Sequence, residues 1–188
     1  MSSMKLVAAL AALSLALSVG CSKQRANNPS VKTNVSDSLK QAGFDKVNVS
    51  EDRDKGVVTL KGEVATQVDK ANAEKVAQAS AGNSVIANEI LVTEGDKGQA
   101  KKVSGDTDKA IEAQVKAMID KELLNKQHIK YEAKNGVLTL TGDVDTPQLR
   151  ASVEKDFAGI DGVTQVVNKL DIKNKHRSQT AHSDVSGR

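Results

Sequence analysis

Apolar residues in the second half of the chain recur with the spacing of a helix. From Asp108 onward they fall on one stripe: Ile111, Val115, Met118, Ile119 and Leu123. Spacings of three and four residues predict an amphipathic helix of about four turns, and Asp106 or Thr107 is its candidate N-cap.

The next segment alternates apolar and polar residues, which is typical of strands. Ile129 and Tyr131 have polar neighbours, and 137–141 is rich in β-branched residues. Between these runs, Asn135-Gly136 can supply the left-handed backbone of a tight turn. The pattern therefore predicts a β-hairpin.

A second helix and a final strand complete this half. Thr146 stands as an N-cap before Pro147, which is tolerated in a first helical turn. Apolar residues then follow at helical spacing: Leu149, Val153 and Phe157. After Gly162, alternate positions define one face of a strand: Val166, Asn168, Leu170 and Ile172. The order of elements is α-β-β-α-β.

The chain contains a duplication with a period of eighty residues. Residues 31–92 align without a gap on 111–172, with 14 identities in 62 positions, seven of them between 56–66 and 136–146. The first copy repeats the predicted order, with Ser30 and Thr66 as caps, a turn at 54–56 and a last strand over 85–92. The sequence thus predicts an α+β fold of two tandem small modules.

Each module is expected to form a three-stranded mixed sheet with two helices packed on one face. A right-handed crossover lays the last strand parallel to the second strand of the hairpin. The predicted boundaries are 31–93 for module 1 and 107–172 for module 2. Residues 94–106 are polar and contain three glycines, so they are predicted to be a flexible linker, and 173–188 a disordered basic tail.

The N-terminal residues have the pattern of an export signal. One lysine precedes an uncharged run over 6–20, which is too short to span a bilayer comfortably and predicts a signal peptide over 1–20. Residues 17–22, Leu-Ser-Val-Gly-Cys-Ser, resemble the lipobox of bacterial lipoproteins, although Ser18 replaces the usual leucine. That resemblance implies lipid attachment at Cys21, with 21–30 as a tether. The alternative is an ordinary signal peptide followed by a free thiol.

Ser22 affects the expected location, because in lipoproteins a serine after the cysteine implies sorting to the outer membrane, facing the periplasm of a Gram-negative bacterium.

The composition of the chain excludes some classes of function and site. Lys and Arg total 27 against 24 Asp and Glu, which argues against nucleic-acid binding. The single cysteine excludes an intrachain disulfide or a CxxC site.

Both modules resemble the BON domain of bacterial envelope proteins. The resemblance rests on two matching sets: Gly56, Val57, Thr59, Leu60, Gly62, Val64, Gly82 and Asn88, and Gly136, Val137, Thr139, Leu140, Gly142, Val144, Gly162 and Asn168. With the lipobox, the chain is similar to dual-BON envelope lipoproteins. The resemblance implies a non-enzymatic protein without cofactors that interacts with anionic phospholipid and supports envelope integrity or stress tolerance.

The resemblance also suggests a phospholipid-contacting helix in module 2. The candidate contact residues on or beside that helix are Lys109, Lys116, Met118 and Lys121. Charges of both signs alternate there, which is typical of a solvated face, and the modules are slightly acidic overall. An adaptor that binds an envelope protein through an edge strand or helix face therefore remains the alternative.

The remaining candidates favour structural roles. Gly62 and Gly142 each follow a strand, and the sequence favours a bend or a close backbone approach over an anion or metal loop. Asn88 and Asn168 are expected to bond the backbone nearby. His176 and His182 lack neighbouring ligands, so no metal site is expected.

Overall fold

The computed structural model describes residues 30–121 and 124–173. The predicted signal peptide, Cys21 with most of its tether, Leu123, and the tail after Lys173 lie outside the described residues. The side chain of Lys121 lies outside them as well.

Module 1 has the predicted order of elements. They are α1 (Lys32–Gln41), β1 (Val47–Asp52), β2 (Val57–Val64), α2 (Gln67–Ser80) and β3 (Val85–Val92). β1 runs antiparallel to β2, and β3 runs parallel to β2, in the sheet order β1-β2-β3. The parallel pairing of β2 and β3 is the one expected from the crossover through α2.

Module 2 repeats this topology with two differences. Its elements are α3 (Lys97–Lys121), one 3₁₀ turn (Leu124–Lys126), β4 (His128–Lys134), β5 (Val137–Val144), α4 (Pro147–Phe157), β6 (Gln165–Asn168) and β7 (Asp171–Ile172). β4 is antiparallel to β5, and β6 and β7 are both parallel to it. The predicted single last strand is thus interrupted. The α+β fold of two tandem modules is confirmed.

Each module buries its own core between the helices and one sheet face. In module 1 the helices contribute Val35 and Leu39 from α1 and Ala73 and Ala77 from α2. In module 2 they contribute Ile111 and Val115 from α3 and Val153 and Phe157 from α4. The strands supply alternate residues to the same cores, as the period of two requires.

The helix caps are partly as predicted. Thr66 and Thr146 accept hydrogen bonds from the backbone N–H of Asp69 and Leu149, both at 3.1 Å, so these two caps are confirmed. The prediction for Ser30 is wrong. Its hydroxyl donates to Glu51 at 2.7 Å, and the other Glu51 oxygen accepts the Val31 N–H, so a carboxylate from β1 caps α1.

The predicted flexible linker is mostly helical, which corrects the prediction for 97–106. α3 begins well before Asp108 because the Asp96 carboxylate accepts the N–H groups of Gly98 at 2.7 Å and Gln99 at 3.0 Å. Asp108 has another role. Its carboxylate accepts the N–H groups of Asn135 and Gly136, so α3 holds the hairpin turn of module 2.

Candidate functional site

The exposed face of α3 carries two of the predicted phospholipid contacts. Lys109 and Lys116 are exposed and, seven residues apart, lie on nearly the same side of the helix. Met118 is half-buried and packs against the core of module 2, so it does not belong to the face that carries these lysines. The side chain of Lys121 is not described.

The face around these lysines combines small apolar residues with both signs of charge. Exposed alanines lie beside the lysines: Ala110, Ala113 and Ala117. Asp106 and Asp120 are exposed at helical spacing from Lys109 and Lys116. The face therefore offers a shallow apolar strip with a weak net charge.

The N-terminal part of α3 is tied to module 1 by a carboxylate. Glu63, at the end of β2, pairs with Lys97 and with Lys101, the latter at 2.9 Å. Hydrogen bonds from Lys97 and then Lys101 hold the pKa of this carboxyl below its ordinary value. The residue after Gly62 thus holds the N-terminal part of α3, the first helix of module 2, against module 1.

Gly62 and Gly142 each permit a close approach of two antiparallel strands. Their φ angles are +140° and +104°, and each is paired with the edge strand of its hairpin. A Cβ on Gly62 would lie 2.2 Å from the Lys46 carbonyl oxygen, and one on Gly142 would lie 1.8 Å from that of His128. This geometry accounts for glycine in both copies.

Asn88 and Asn168 join the last strand of each module to its second helix. Asn88 is buried, and its side-chain N–H groups donate to the Lys70 carbonyl at 3.1 Å and to Glu74 at 3.0 Å. The Asn168 amide donates to the Arg150 carbonyl at 3.0 Å and to Glu154 at 2.9 Å. The asparagines therefore have equivalent structural contacts in the two copies.

The two modules contact each other through sheet surfaces that face away from their helices. A small apolar cluster comes from both copies, with equivalent positions facing each other: Val57, Ala87, Val137 and Val167. Lys55 pairs with Asp171 at 2.6 Å, and Lys169 pairs with Asp52 at 3.1 Å. The Asn135 amide donates to the Glu89 carbonyl at 2.6 Å.

Gln165 of module 2 reaches the free edge of β3 in module 1. Its Nε2 donates to the Ile86 carbonyl at 2.6 Å, and its Oε1 accepts the Asn88 N–H at 3.2 Å. The side-chain amide thus makes the pair of hydrogen bonds that a neighbouring strand would make.

The described part of the chain contains neither a membrane-spanning helix nor a metal-binding cluster. Within residues 30–121 and 124–173, no helix is both long and apolar enough to cross a bilayer. The same residues contain no cluster of three side chains suited to a metal ion. His176 and His182 lie outside these ranges, and His128 is exposed beside Asp143 at 3.3 Å.

The repeated topology and the repeated glycine and asparagine positions define a tandem α+β module of one class. The family model for the BON domain matches residues 27–94 and 107–174. The chain therefore belongs to the BON domain family.

Known relatives extend this comparison. The chain is 32% identical over 126 residues to Osmotically-inducible protein Y of Escherichia coli strain K12. The match covers 67% of this chain and 62% of that protein, so it spans less than two thirds of the relative. Among solved structures, the chain aligns with CdsD, a structural protein of the type III secretion system of Chlamydia trachomatis, at 12% identity and a TM-score of 0.34. That alignment covers 75% of this chain and 91% of the CdsD chain.

The sequence did not predict the contacts between the modules, such as that of Gln165 with β3. It also did not predict the hydrogen bond from asparagine to glutamate within each module. Gln165 has no counterpart in the first copy, where Val85 occupies the position, so the repeat carried no signal for it. The Asn–Glu contact did leave a signal, because Glu74 and Glu154 are identical at equivalent positions, as are the asparagines.

Proposed function

We propose that the chain is an exported, non-enzymatic protein of the bacterial envelope, anchored to the outer membrane by a lipid on Cys21 and facing the periplasm. In this proposal the outward face of α3 binds anionic phospholipid, and the protein supports the envelope under osmotic stress. The relative described as osmotically inducible supports the last part.

The observation that carries the lipid contact is the exposed pair Lys109 and Lys116 beside the alanine strip of α3. A lysine near an anionic membrane contributes about 1 kcal/mol of attraction. Two lysines alone give weak binding, but a lipid anchor on the same chain keeps the helix close to the membrane and raises its effective concentration there. Weak contacts are then sufficient.

Vesicle co-sedimentation tests the proposed contact. The chain from residue 22 to 188 is expected to sediment with phosphatidylglycerol vesicles at low salt, and less with phosphatidylcholine vesicles or at high salt. The double variant Lys109→Glu/Lys116→Glu should lose this difference. The control Lys75→Glu/Lys155→Glu changes net charge equally at exposed positions of α2 and α4, and should retain most of the binding.

A protein-interaction adaptor is the second candidate function. It is favoured by Asp106 and Asp120, which lie among the lysines of α3 and reduce the attraction of this face for an anionic surface. If the 22–188 chain fails to bind phosphatidylglycerol vesicles at low salt, or if both double variants bind equally, the phospholipid contact of α3 is wrong and the adaptor is preferred.

A further inference from the structure

Charged side chains of the two modules face each other in complementary order. Asp52 and Lys55 lie at the end of the β1–β2 hairpin of module 1, and Lys169 and Asp171 lie where β6 gives way to β7 in module 2. Lys169 pairs with Asp52 at 3.1 Å, and Lys55 pairs with Asp171 at 2.6 Å. Each module therefore meets the opposite charge at both positions.

The short link between β3 and α3 can act as a hinge. Residues 93–96 belong to neither element, and most of them are exposed. Within this link, Gly95 has a φ of +80° and open space around its Cα. Just after the link, Lys97 and Lys101 tie α3 to module 1 through Glu63. Ion pairs therefore hold the helix at the end of the link as well as the contact between the sheets.

The apolar part of the contact between modules is small. It consists of one alanine and three valines: Val57, Ala87, Val137 and Val167. Hydrogen bonds from the side chains of Gln165 and Asn135 to β3 add to it. Each module has a larger core of its own between its helices and its sheet. Separation of the modules would therefore leave both of them folded.

Salt in the solvent can reach most of these ion pairs. Lys97 and Lys101 are more than half exposed, and the side chain of Asp171 is 71% exposed. A cavity of about 360 Å³ opens beside Glu63 and Lys101. Lys169 is more enclosed, with 15% of its side chain exposed. Attraction between exposed charges is screened over about 10 Å at 0.1 M salt and about 3 Å at 1 M, so salt weakens most of this contact.

We propose that ionic strength controls the contact between the modules, which are closed at low salt and separate at high salt by rotation about residues 94–96. Exposed ion pairs are weak individually, but all of these act on one opening equilibrium, so their effects multiply. The equilibrium constant for opening should rise about tenfold between about 0.02 M and about 0.5 M sodium chloride. Opening uncovers the valines of both sheet faces.

This inference goes beyond the phospholipid contact and can fail independently of it, because Lys109 and Lys116 take no part in these ion pairs. The proposal concerns how the two modules are held together, whereas the phospholipid contact concerns the outward face of α3. Vesicle binding and module opening are therefore measured separately.

Amide hydrogen exchange in the chain 22–188 measures the opening. The N–H of Asn88 is the reporter, because its acceptor is the Gln165 side chain of the other module. Its exchange should become about tenfold faster over the stated salt range. The amides of Leu60 and Leu140, in the central strands of the two sheets, should keep their protection. Sucrose at equal osmotic strength should leave Asn88 protected, because sucrose favours burial.

Two double variants with equal loss of charge test the ion pairs themselves. Lys55→Gln/Lys169→Gln removes both pairs between the sheets, and should speed exchange at the reporter amide already at low salt. Lys61→Gln/Lys173→Gln removes pairs that lie within one module, and should behave as the unmodified chain. The single variant Lys55→Asp should loosen the contact, and adding Asp171→Lys should restore most of the protection.

Four results would overturn the proposal. They are exchange at Asn88 that does not change with salt, equal acceleration at Leu60 and Leu140, acceleration by sucrose, and equal effects of the two double variants. Equal acceleration at the central strands would mean that salt unfolds the modules rather than separating them.

Discussion

Asn88 and Gln165 belong to different modules, and the backbone N–H of Asn88 donates to the Gln165 side chain at 3.2 Å. Asn88 also holds α2, because its side-chain amide donates to the Lys70 carbonyl and to the Glu74 carboxylate. One residue of β3 therefore links the fold of module 1 to its contact with module 2. Since the apolar cluster between the modules is small, polar contacts such as this one contribute substantially to how the modules are held.

Replacing Gln165 by Leu is expected to loosen the contact between modules without unfolding either. The lost hydrogen bonds correspond to about 0.5–1.5 kcal/mol each, and the change should appear as faster amide hydrogen exchange at Asn88. Gln78→Leu, at an exposed position of α2, serves as the control. Unchanged exchange at Asn88 in the Gln165 variant would show that its side chain does not hold this edge.

Gly62 and Gly142 each lie where two antiparallel strands approach closely, and replacing either is expected to destabilise the module that contains it. Gly142→Val should lower the free energy of unfolding by about 1–3 kcal/mol, because its Cβ would overlap the His128 carbonyl oxygen. Gly62→Val should act similarly on module 1. Urea denaturation measures both effects. Gly105→Ala is the matched control: nothing lies within 4 Å of the added Cβ in α3, and the change should stabilise by about 0.5–1 kcal/mol. Equal midpoints for all three variants would contradict this account.

The parts of the fold that could be predicted from the sequence depend on residues near each other in the chain. The turn at Asn135-Gly136 has positive φ at both residues, 48° and 80°, as its composition predicted. The caps at Thr66 and Thr146 involve the backbone three residues later. Such interactions leave a local pattern, and in this chain the duplication repeats much of it.

The missed features depend on partners that are distant in sequence or on competition between local signals. Glu51 caps α1 from twenty residues away because β1 brings its carboxylate to the helix end. The polar run over 94–106, with Gly95, Gly98 and Gly105, predicts a flexible linker. Its helix is instead stabilised by the Asp96 cap and by ion pairs to Glu63, a contact that exists only once module 1 has folded.

The proposed location at the outer membrane depends on lipid attachment at Cys21. Mass spectrometry of the N-terminal peptide from the mature protein, isolated from bacterial membranes, is expected to show an acylated Cys21 as the first residue. The variant Cys21→Ala should move the protein to the soluble periplasmic fraction, whereas Ser22→Ala should remain in membranes. An unmodified Cys21, or a mature N-terminus elsewhere, would contradict the anchor.

The ion pairs of Glu63 give the N-terminal part of α3 a dependence on pH. Because the folded-state pKa of Glu63 lies below the ordinary value of 4.5, its stabilising contribution is present above that pH and is lost as pH falls through the lowered pKa. Amide protection over 97–101 should therefore decrease in acid, beyond the change in residues 111–115. Glu63→Gln should show the lower protection already at pH 7.

Two further comparisons distinguish this ion pair from general acid sensitivity. Salt at high concentration should reduce protection over 97–101 in the unmodified chain, because the lysines are about half exposed and their attraction to Glu63 is screened. Glu94→Gln removes an exposed carboxylate that lies just before α3, and it should leave both the pH and the salt dependence in place. If Glu94→Gln and Glu63→Gln reduce protection equally, general charge near the helix N-terminus, rather than the pairing of Glu63 with Lys97 and Lys101, stabilises this part of α3.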